Sequence, residues 1–345
     1  MPKRLKPGKL AWRLIGLVLS ISIALYLLRE VDLNSFAALA AGVSPWSLLA
    51  ALLSYLLLNF FRLLRFRALL ADLEAPFAVF YPIVLYHNLL VRVLPFKTGE
   101  ISYVVLLRQH LNQPVRDGVS SLVSSRLFEL LLVIAVGGGA LLLSAAVTQI
   151  APVLVLLLIG GGSVVYLAAL YYSGALLRQM ARALRAVGVR LKQPRLAGWG
   201  ETRVQALAGS FDRMRHPQVF GRALLISVFT YSMSALFYMV LLYAIGLQNN
   251  PGLLLGIISI VMLAEALPLA TISGLGMIEG GWVFGLVALA GLPLGEAASI
   301  GFFLHGCQIL AALISGLGGY AWLNLRRRAS LTAAFEPRGA DVRQS

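Results

Sequence analysis

Twelve polar or ionisable residues interrupt apolar sequence where such groups are costly to keep. Asn88, Arg92, Lys97, Thr98 and Glu100 surround one Pro/Gly-containing break, and Arg126 and Glu129 follow it. Glu265, Ser273 and Glu279 surround a second break, which His305 and Gln308 follow. A charged side chain at the centre of a bilayer costs roughly 2.5–3.5 kcal/mol on insertion scales, so intramembrane charges are functional candidates by default. The chemistry these types offer is recognition. Arg92, Lys97 and Arg126 can hold an anionic head group through charge-assisted hydrogen bonds. Glu100, Glu129 and Glu279 can orient those cations or bind a cationic head group.

Several of these residues also have plainer readings. Arg126 and Glu129 are three apart and share a helix face, so they can neutralise one another as an intrahelical pair. Alternatively Arg126 faces a lipid phosphate or Glu100, with Glu129 tuning it. Arg92 can snorkel toward an interface. His305 and Gln308 also share a face and suit packing or an interhelical hydrogen bond as well as a site. Glu296 reads as a solvated loop residue. The sequence contains no metal-ligand cluster, Walker sequence, Gly-x-Ser-x-Gly elbow or Asp-x-Asp pair. No cofactor, no metal, no enzymatic activity and no nucleotide hydrolysis within the chain are therefore expected.

The elements that must position these residues are helices in lipid. Of 345 residues, 59% are hydrophobic and 12% charged, and the mean hydropathy is +0.84. Soluble domains carry about twice that charge, so this chain lacks the polar surface to face water. The net charge of +15 suggests nucleic acid only until its distribution is read. Lys and Arg cluster between apolar runs, without the aromatic interleaving of a nucleic-acid groove, so no nucleic-acid partner is expected. Cys307 is the single cysteine and can form no intramolecular disulfide. The basic start followed by Leu14–Leu28 reads as a retained signal anchor, because no small-x-small cleavage site follows.

A spanning helix needs about 20 apolar residues. Such runs lie near 12–28, 45–61, 119–147, 153–172, 222–246 and 297–323, giving an all-α polytopic bundle of about six spans. The stretches 77–107 and 252–291 are broken at 94–100 and 267–281, with arms too short to cross, and read as two re-entrant broken-helix hairpins. With both termini cytoplasmic, segments 1–13, 62–76, 108–118, 173–222 and 324–345 hold 25 of the 29 Lys and Arg residues, as the positive-inside rule requires. The two halves then run in opposite senses, which reads as an inverted repeat of the kind that brings broken helices together at the midplane; the alternative is that all the apolar stretches span, with irregular lengths. Gly99, Gly274, Gly276, Gly280 and Gly281 permit the tight turns such breaks need. Residues 1–325 form the membrane domain, with a basic cytoplasmic loop at 173–222. Residues 175–187 of that loop can form an amphipathic helix on an anionic leaflet, or the loop can be topogenic only. Residues 326–345 are expected to be a disordered cytoplasmic tail.

At the two breaks the sequence resembles the transmembrane, flippase-like region of the lysylphosphatidylglycerol synthase family, the membrane half of the multiple peptide resistance factor. The elements are Asn88-Leu89-Leu90 leading to Pro95 and Gly99-Glu100, Arg126 with an acid three residues on, and Pro268 leading to Gly274-Leu275-Gly276 and Glu279. Their order covers about residues 45–325. The resemblance implies a bacterial inner-membrane protein that moves or handles polar lipids between leaflets, with an anionic phospholipid or glycolipid as partner and an oligomer possible. The chain departs from that pattern at Tyr103, Ile278 and Ser125, where the family commonly has an Arg, a basic residue and an acid; Lys97 offers a substitute cation. The aminoacyl-transferase domain of full-length synthases is expected to be absent, and with it lysylphosphatidylglycerol synthesis. Two other functions fit the residues: a membrane enzyme acting on polyprenyl- or glyco-lipids with Glu100 as general base, and a non-transporting partner protein using the basic loop.

Overall fold

The computed structural model describes residues 7–31, 33–70, 75–95, 97–143, 152–191, 198, 204, 208, 209, 211–266 and 273–335. Almost all of these are helical, and no strand occurs among them. The helices are α1 (Pro7–Glu30), α2 (Leu33–Gly42), α3 (Pro45–Leu69), α4 (Phe77–Val93), α5 (Gly99–Leu111), α6 (Val115–Leu132), α7 (Gly138–Leu143), α8 (Pro152–Tyr171), α9 (Ser173–Arg190), α10 (Pro217–Ala244), α11 (Pro251–Ala266), α12 (Met277–Ala290) and α13 (Leu294–Phe335). A π-helical turn, Val133–Gly137, joins α6 to α7.

Local chemistry sets the helix ends. Ser44 caps α3 by accepting from the Ser47 amide at 3.1 Å, and Pro45 at the first position wastes no hydrogen bond because that N–H would lack a partner anyway. Asn112 and Gly291 terminate α5 and α12 in the left-handed region, at φ 52° and 70°. Pro114 and Pro293 follow and start the next helices. Four described helices are long and apolar enough to cross a bilayer: α3, α6 continued to Leu142, α10, and α13 as far as Arg327. A fifth is reached if α8 and α9, bent by 69°, count as one span. The first apolar run forms the 24-residue helix α1, which lies outside this set.

Both expected hairpins are present as pairs of short helices packed on one another, α4 with α5 and α11 with α12. At about 1.5 Å per residue, their 17, 13, 16 and 14 residues fall short of a hydrocarbon core of about 30 Å. Packing between the halves repeats with equivalent partners. The equivalent spans α3 and α10 pack on each other; α4 packs on α13, while its counterpart α11 packs on α7 and the π turn. The inverted repeat also holds in register. From the start of α5 and α12, equivalent residues lie 179 positions apart: Asn112 and Gly291, Pro114 and Pro293, Glu100 and Glu279, Arg126 and His305, Glu129 and Gln308. The turn bonds repeat too, from Gln113 N–H to Leu107 O and from Leu292 N–H to Leu286 O.

Two boundaries differ from the sequence reading. α3 continues past residue 61 to Leu69, so Arg62, Arg65 and Arg67 belong to a helix rather than to a cytoplasmic loop. α13 continues through Arg326–Arg328 to Phe335, so the tail is not disordered from 326; residues 336–345 lie outside the described residues. Residues 267–272, with Pro268, lie outside them as well. Most of the 173–222 loop before Arg190 is the helix α9. It exposes Leu176, Met180 and Val187, and its Arg178 pairs with Asp212.

The α4–α13 contact depends on small residues, as membrane interfaces commonly do. A Cβ on Gly319 would lie 2.7 Å from the Pro82 carbonyl oxygen, whereas one on Gly318 would meet nothing within 4 Å. Gly319→Val is therefore expected to lose about 1–3 kcal/mol by overpacking and to melt at lower temperature in detergent, while Gly318→Val melts as the unaltered protein does. Equal melting of the two variants would contradict this interface.

Candidate functional site

The spans and the first break enclose a cavity of about 400 Å³, within the range that holds small ligands. α3 lines it with Tyr55, Leu58 and Arg62, α4 with Arg92, and the first break with Lys97. The first turn of α5 contributes Glu100, α6 contributes Arg126 and Glu129, α11 contributes Glu265, and Ser273 and Gln308 close the far side. Apolar groups such as Val123, Leu127, Phe237 and Met262 fill the rest of the wall.

Glu129 is the hub of the charges. Its Oε1 takes the Arg65 guanidinium and lies 3.8 Å from Arg62 Nε, and its Oε2 accepts from Arg126 Nη1 at 2.7 Å. Arg126 Nη2 reaches on to Glu100 Oε1 at 2.5 Å. Arg65 is 1% exposed and also donates to Ser227 on α10 at 3.4 Å. Arg62 donates to Asn88 Oδ1 at 2.8 Å, and Asn88 donates in turn to Asn59. Across the cavity Arg92 pairs with Glu265 at 2.5 Å. Lys97, held at φ 57°, donates to the Glu265 backbone carbonyl at 2.6 Å, and Gln308 approaches Glu265 Oε2 at 3.5 Å.

The balance of this network matters for what it can bind. Arg62, Arg65, Arg92, Lys97 and Arg126 face three carboxylates, Glu100, Glu129 and Glu265. Two positive charges are left over in a low-dielectric setting, where unpaired charge is costly. Arg62 Nε, Arg65 Nε, Glu100 Oε2 and Gln308 Oε1 are buried without a hydrogen-bond partner. Arg126 is 37% exposed, the most accessible cation of the Glu129 cluster. The arrangement suits an anion approaching Arg126 and Arg62 between the apolar walls.

Nine of the twelve residues singled out from sequence line this cavity or bond directly into its wall: Asn88, Arg92, Lys97, Glu100, Arg126, Glu129, Glu265, Ser273 and Gln308. Arg92 does not snorkel outward, because Glu265 holds it. Thr98 stands apart; it is exposed and its hydroxyl donates to the Pro95 carbonyl at 2.6 Å, a turn contact. Glu279 and His305 form a separate buried pair at 2.6 Å. Of the departures from the family pattern, Tyr103 is fully buried and stacks on Phe66 at 4.1 Å, Ser125 is buried on α6, and Ile278 touches the cavity. Sequence reading missed Tyr55, Asn59, Arg62 and Arg65. The signal was their helical spacing along one face of α3; ending the apolar run at residue 61 left Arg62 and Arg65 outside the helix, while Tyr55 and Asn59 lay within it and were not singled out.

Comparison with known proteins gives one family match: the family described as "Lysylphosphatidylglycerol synthase TM region" matches residues 13–316. No curated protein matches, and no solved structure matches.

Removing one partner of a buried ion pair costs about 3–5 kcal/mol, because the other charge is stranded. Glu129→Gln is expected to lower stability by that order, and Arg65→Met added to it to recover part of the loss, with a coupling above about 1 kcal/mol. A double-mutant cycle by thermal unfolding in detergent measures this; strictly additive losses would exclude Glu129 as the hub.

Proposed function

The chain belongs to the lysylphosphatidylglycerol synthase TM-region family of integral membrane proteins, and on that premise we propose that it is a lipid flippase or lipid-transport protein for a lipid with an anionic head group. The observation that carries the reading is the cation excess of the Arg62–Arg65–Arg126 wall in a cavity that apolar residues otherwise enclose. A phosphate crossing the hydrocarbon core alone would forfeit its hydration, at a cost of tens of kcal/mol in the limiting case. Guanidinium donors replace that hydration with charge-assisted hydrogen bonds, bidentate where geometry permits.

The head group enters against Arg126, the accessible cation, and draws it from Glu100 without removing the Glu129 contact on its other nitrogen. Arg62, whose Nε lacks a hydrogen-bond partner, supplies a second donor. The acyl chains remain among the apolar residues at the cavity mouth. Glu265 keeps Arg92 and Lys97 oriented on the opposite wall. The proposed location is the bacterial inner membrane with both termini cytoplasmic, which the distribution of basic residues supports.

The test is translocation of labelled lipids by purified protein in liposomes. Phosphatidylglycerol is expected to move faster than phosphatidylcholine. A hydrogen bond to a charged group contributes about 1.5–3 kcal/mol, so Arg126→Ala should slow movement by about ten- to a hundredfold. Glu296→Gln, on the exposed start of α13, should leave it unchanged. Movement at the protein-free rate, or an Arg126→Ala variant as fast as the unaltered protein, would sink the reading.

A further inference from the structure

The repeat register sets two carboxylate–cation pairs side by side for comparison. Glu100–Arg126 in the first half and Glu279–His305 in the second are equivalent residue for residue, each spanning from the first turn of one helix to the middle of the next. They differ in one chemical respect. Arginine keeps its charge at any physiological pH, whereas histidine titrates between about pH 5 and about pH 8. They differ also in access, since Arg126 opens to the cavity while Glu279 and His305 are sealed, at 0% and 1% exposure.

The hydrogen bonds of the sealed pair require one proton more than a neutral imidazole and an ionised carboxylate supply. His305 Nε2 lies 3.1 Å from the Ser273 carbonyl oxygen, which can only accept, so Nε2 must carry hydrogen. Nδ1 lies 2.6 Å from Glu279 Oε1, so a proton must sit between them, bound to either atom. Glu279 Oε2 accepts from the Gly276 amide at 2.7 Å. One proton thus ties α13 through α12 to the turn 273–276. That turn is held open-handed, with Ser273, Gly274 and Gly276 at φ 58°, 82° and 79°.

We propose that Glu279–His305 is a proton-binding latch on the turn 273–276, whose release of a proton to water frees that turn and couples proton movement to lipid movement. Only an N–H or O–H bond breaks, and the pair passes from net neutral to singly negative. Without the proton, a lone pair on Nδ1 faces the carboxylate or one on Nε2 faces the Ser273 carbonyl, with no water to relieve either. Other charges leave the pair alone. On α1, Tyr26, Arg29 and Glu30 are exposed, and α2 carries no charged residue. On α11, Glu265 is held by Arg92 of α4, and His87 of α4 bonds Ser102. On α3, Arg65 is engaged by Glu129 and Arg62 by Asn88. On α13, Cys307 is half-buried and Glu296 and Arg326 are exposed.

The coupling clause rests on the lipid reading; the proton site does not. Hydrogen–deuterium exchange of the 273–280 amides in nanodiscs, corrected for intrinsic rates, tests the site directly. Protection is expected to be about tenfold lower at high pH, where the pair gives up its proton, than at low pH, where it holds it. It should stay high and flat in Glu279→Gln, whose amide donates to Nδ1 and mimics the protonated acid. His305→Arg, a permanent double donor, should be flat as well. Flat exchange in the unaltered protein, or an undiminished pH response in both variants, overturns the latch. Lipid translocation under an imposed pH gradient then tests the coupling. A rate indifferent to the gradient, with exchange still pH-dependent, overturns the coupling while the latch stands. No translocation under any gradient, with exchange still pH-dependent, overturns the lipid reading instead.

Discussion

A carboxylate surrounded by guanidinium groups inside an apolar bundle organises this molecule. Glu129 binds Arg65 from α3 and Arg126 from its own helix, and Arg126 carries the connection to Glu100 at the head of α5. Buried charge is tolerated only where it is paired and hydrogen-bonded. Three helices must therefore keep their relative positions for any one of these charges to stay where it is. Ser227 extends the constraint to α10, since it is the neutral partner of Arg65. The short arms of the first hairpin follow from the same requirement. The break between α4 and α5 brings the start of α5, and Glu100 with it, into reach of Arg126, and non-helical backbone inside a bundle in lipid needs the protein surroundings that the cluster provides.

The second repeat shows how the same scaffold tolerates different charge chemistry. Glu100 and Glu279 are retained at equivalent positions, while Arg126 becomes His305 and Glu129 becomes Gln308. Tyr103 and Trp282 occupy equivalent positions and are both fully buried, so the packing beneath each hairpin is aromatic in both halves. What changes is the hub. Gln308 stands in place of Glu129 and turns to Glu265, while the histidine closes on Glu279 and the Ser273 carbonyl. One half holds a charged network open to a cavity, and the other holds a compact neutral pair.

Much of this was legible in hydropathy and parity. The spans, the two short-armed hairpins and the opposite sense of the halves follow from run length and the distribution of Lys and Arg. Most candidate residues were found because ionisable groups in apolar sequence are costly. Two things escaped. Arg62 and Arg65 sit at the end of an apolar run, where the positive-inside rule explains any basic residue without further function, so a rule that orients the chain concealed two members of its core. The repeat register escaped because identity between the halves is confined to a few positions. Pro114 with Pro293, and Glu100 with Glu279, are visible only once the shared left-handed turn at Asn112 and Gly291 fixes the alignment.

The three departures from the family pattern can be weighed against this geometry. An arginine at position 103 would lie where Tyr103 stacks on Phe66, fully buried and one helical turn from Glu100, and desolvating its charge would be costly. The tyrosine avoids that cost while the cluster built on Arg62, Arg65 and Arg126 already supplies cations to the cavity. A basic residue at 278 would adjoin Glu279 in sequence and offer the carboxylate an alternative partner to His305. Ile278 removes that competitor and leaves His305 as the side-chain partner of Glu279. An acid at 125 would add a negative charge beside the one cavity cation that is substantially exposed, and Ser125 withholds it. The three departures act differently: Tyr103 takes a cation out of the first repeat, Ser125 an acid from beside Arg126, and Ile278 a base from beside Glu279.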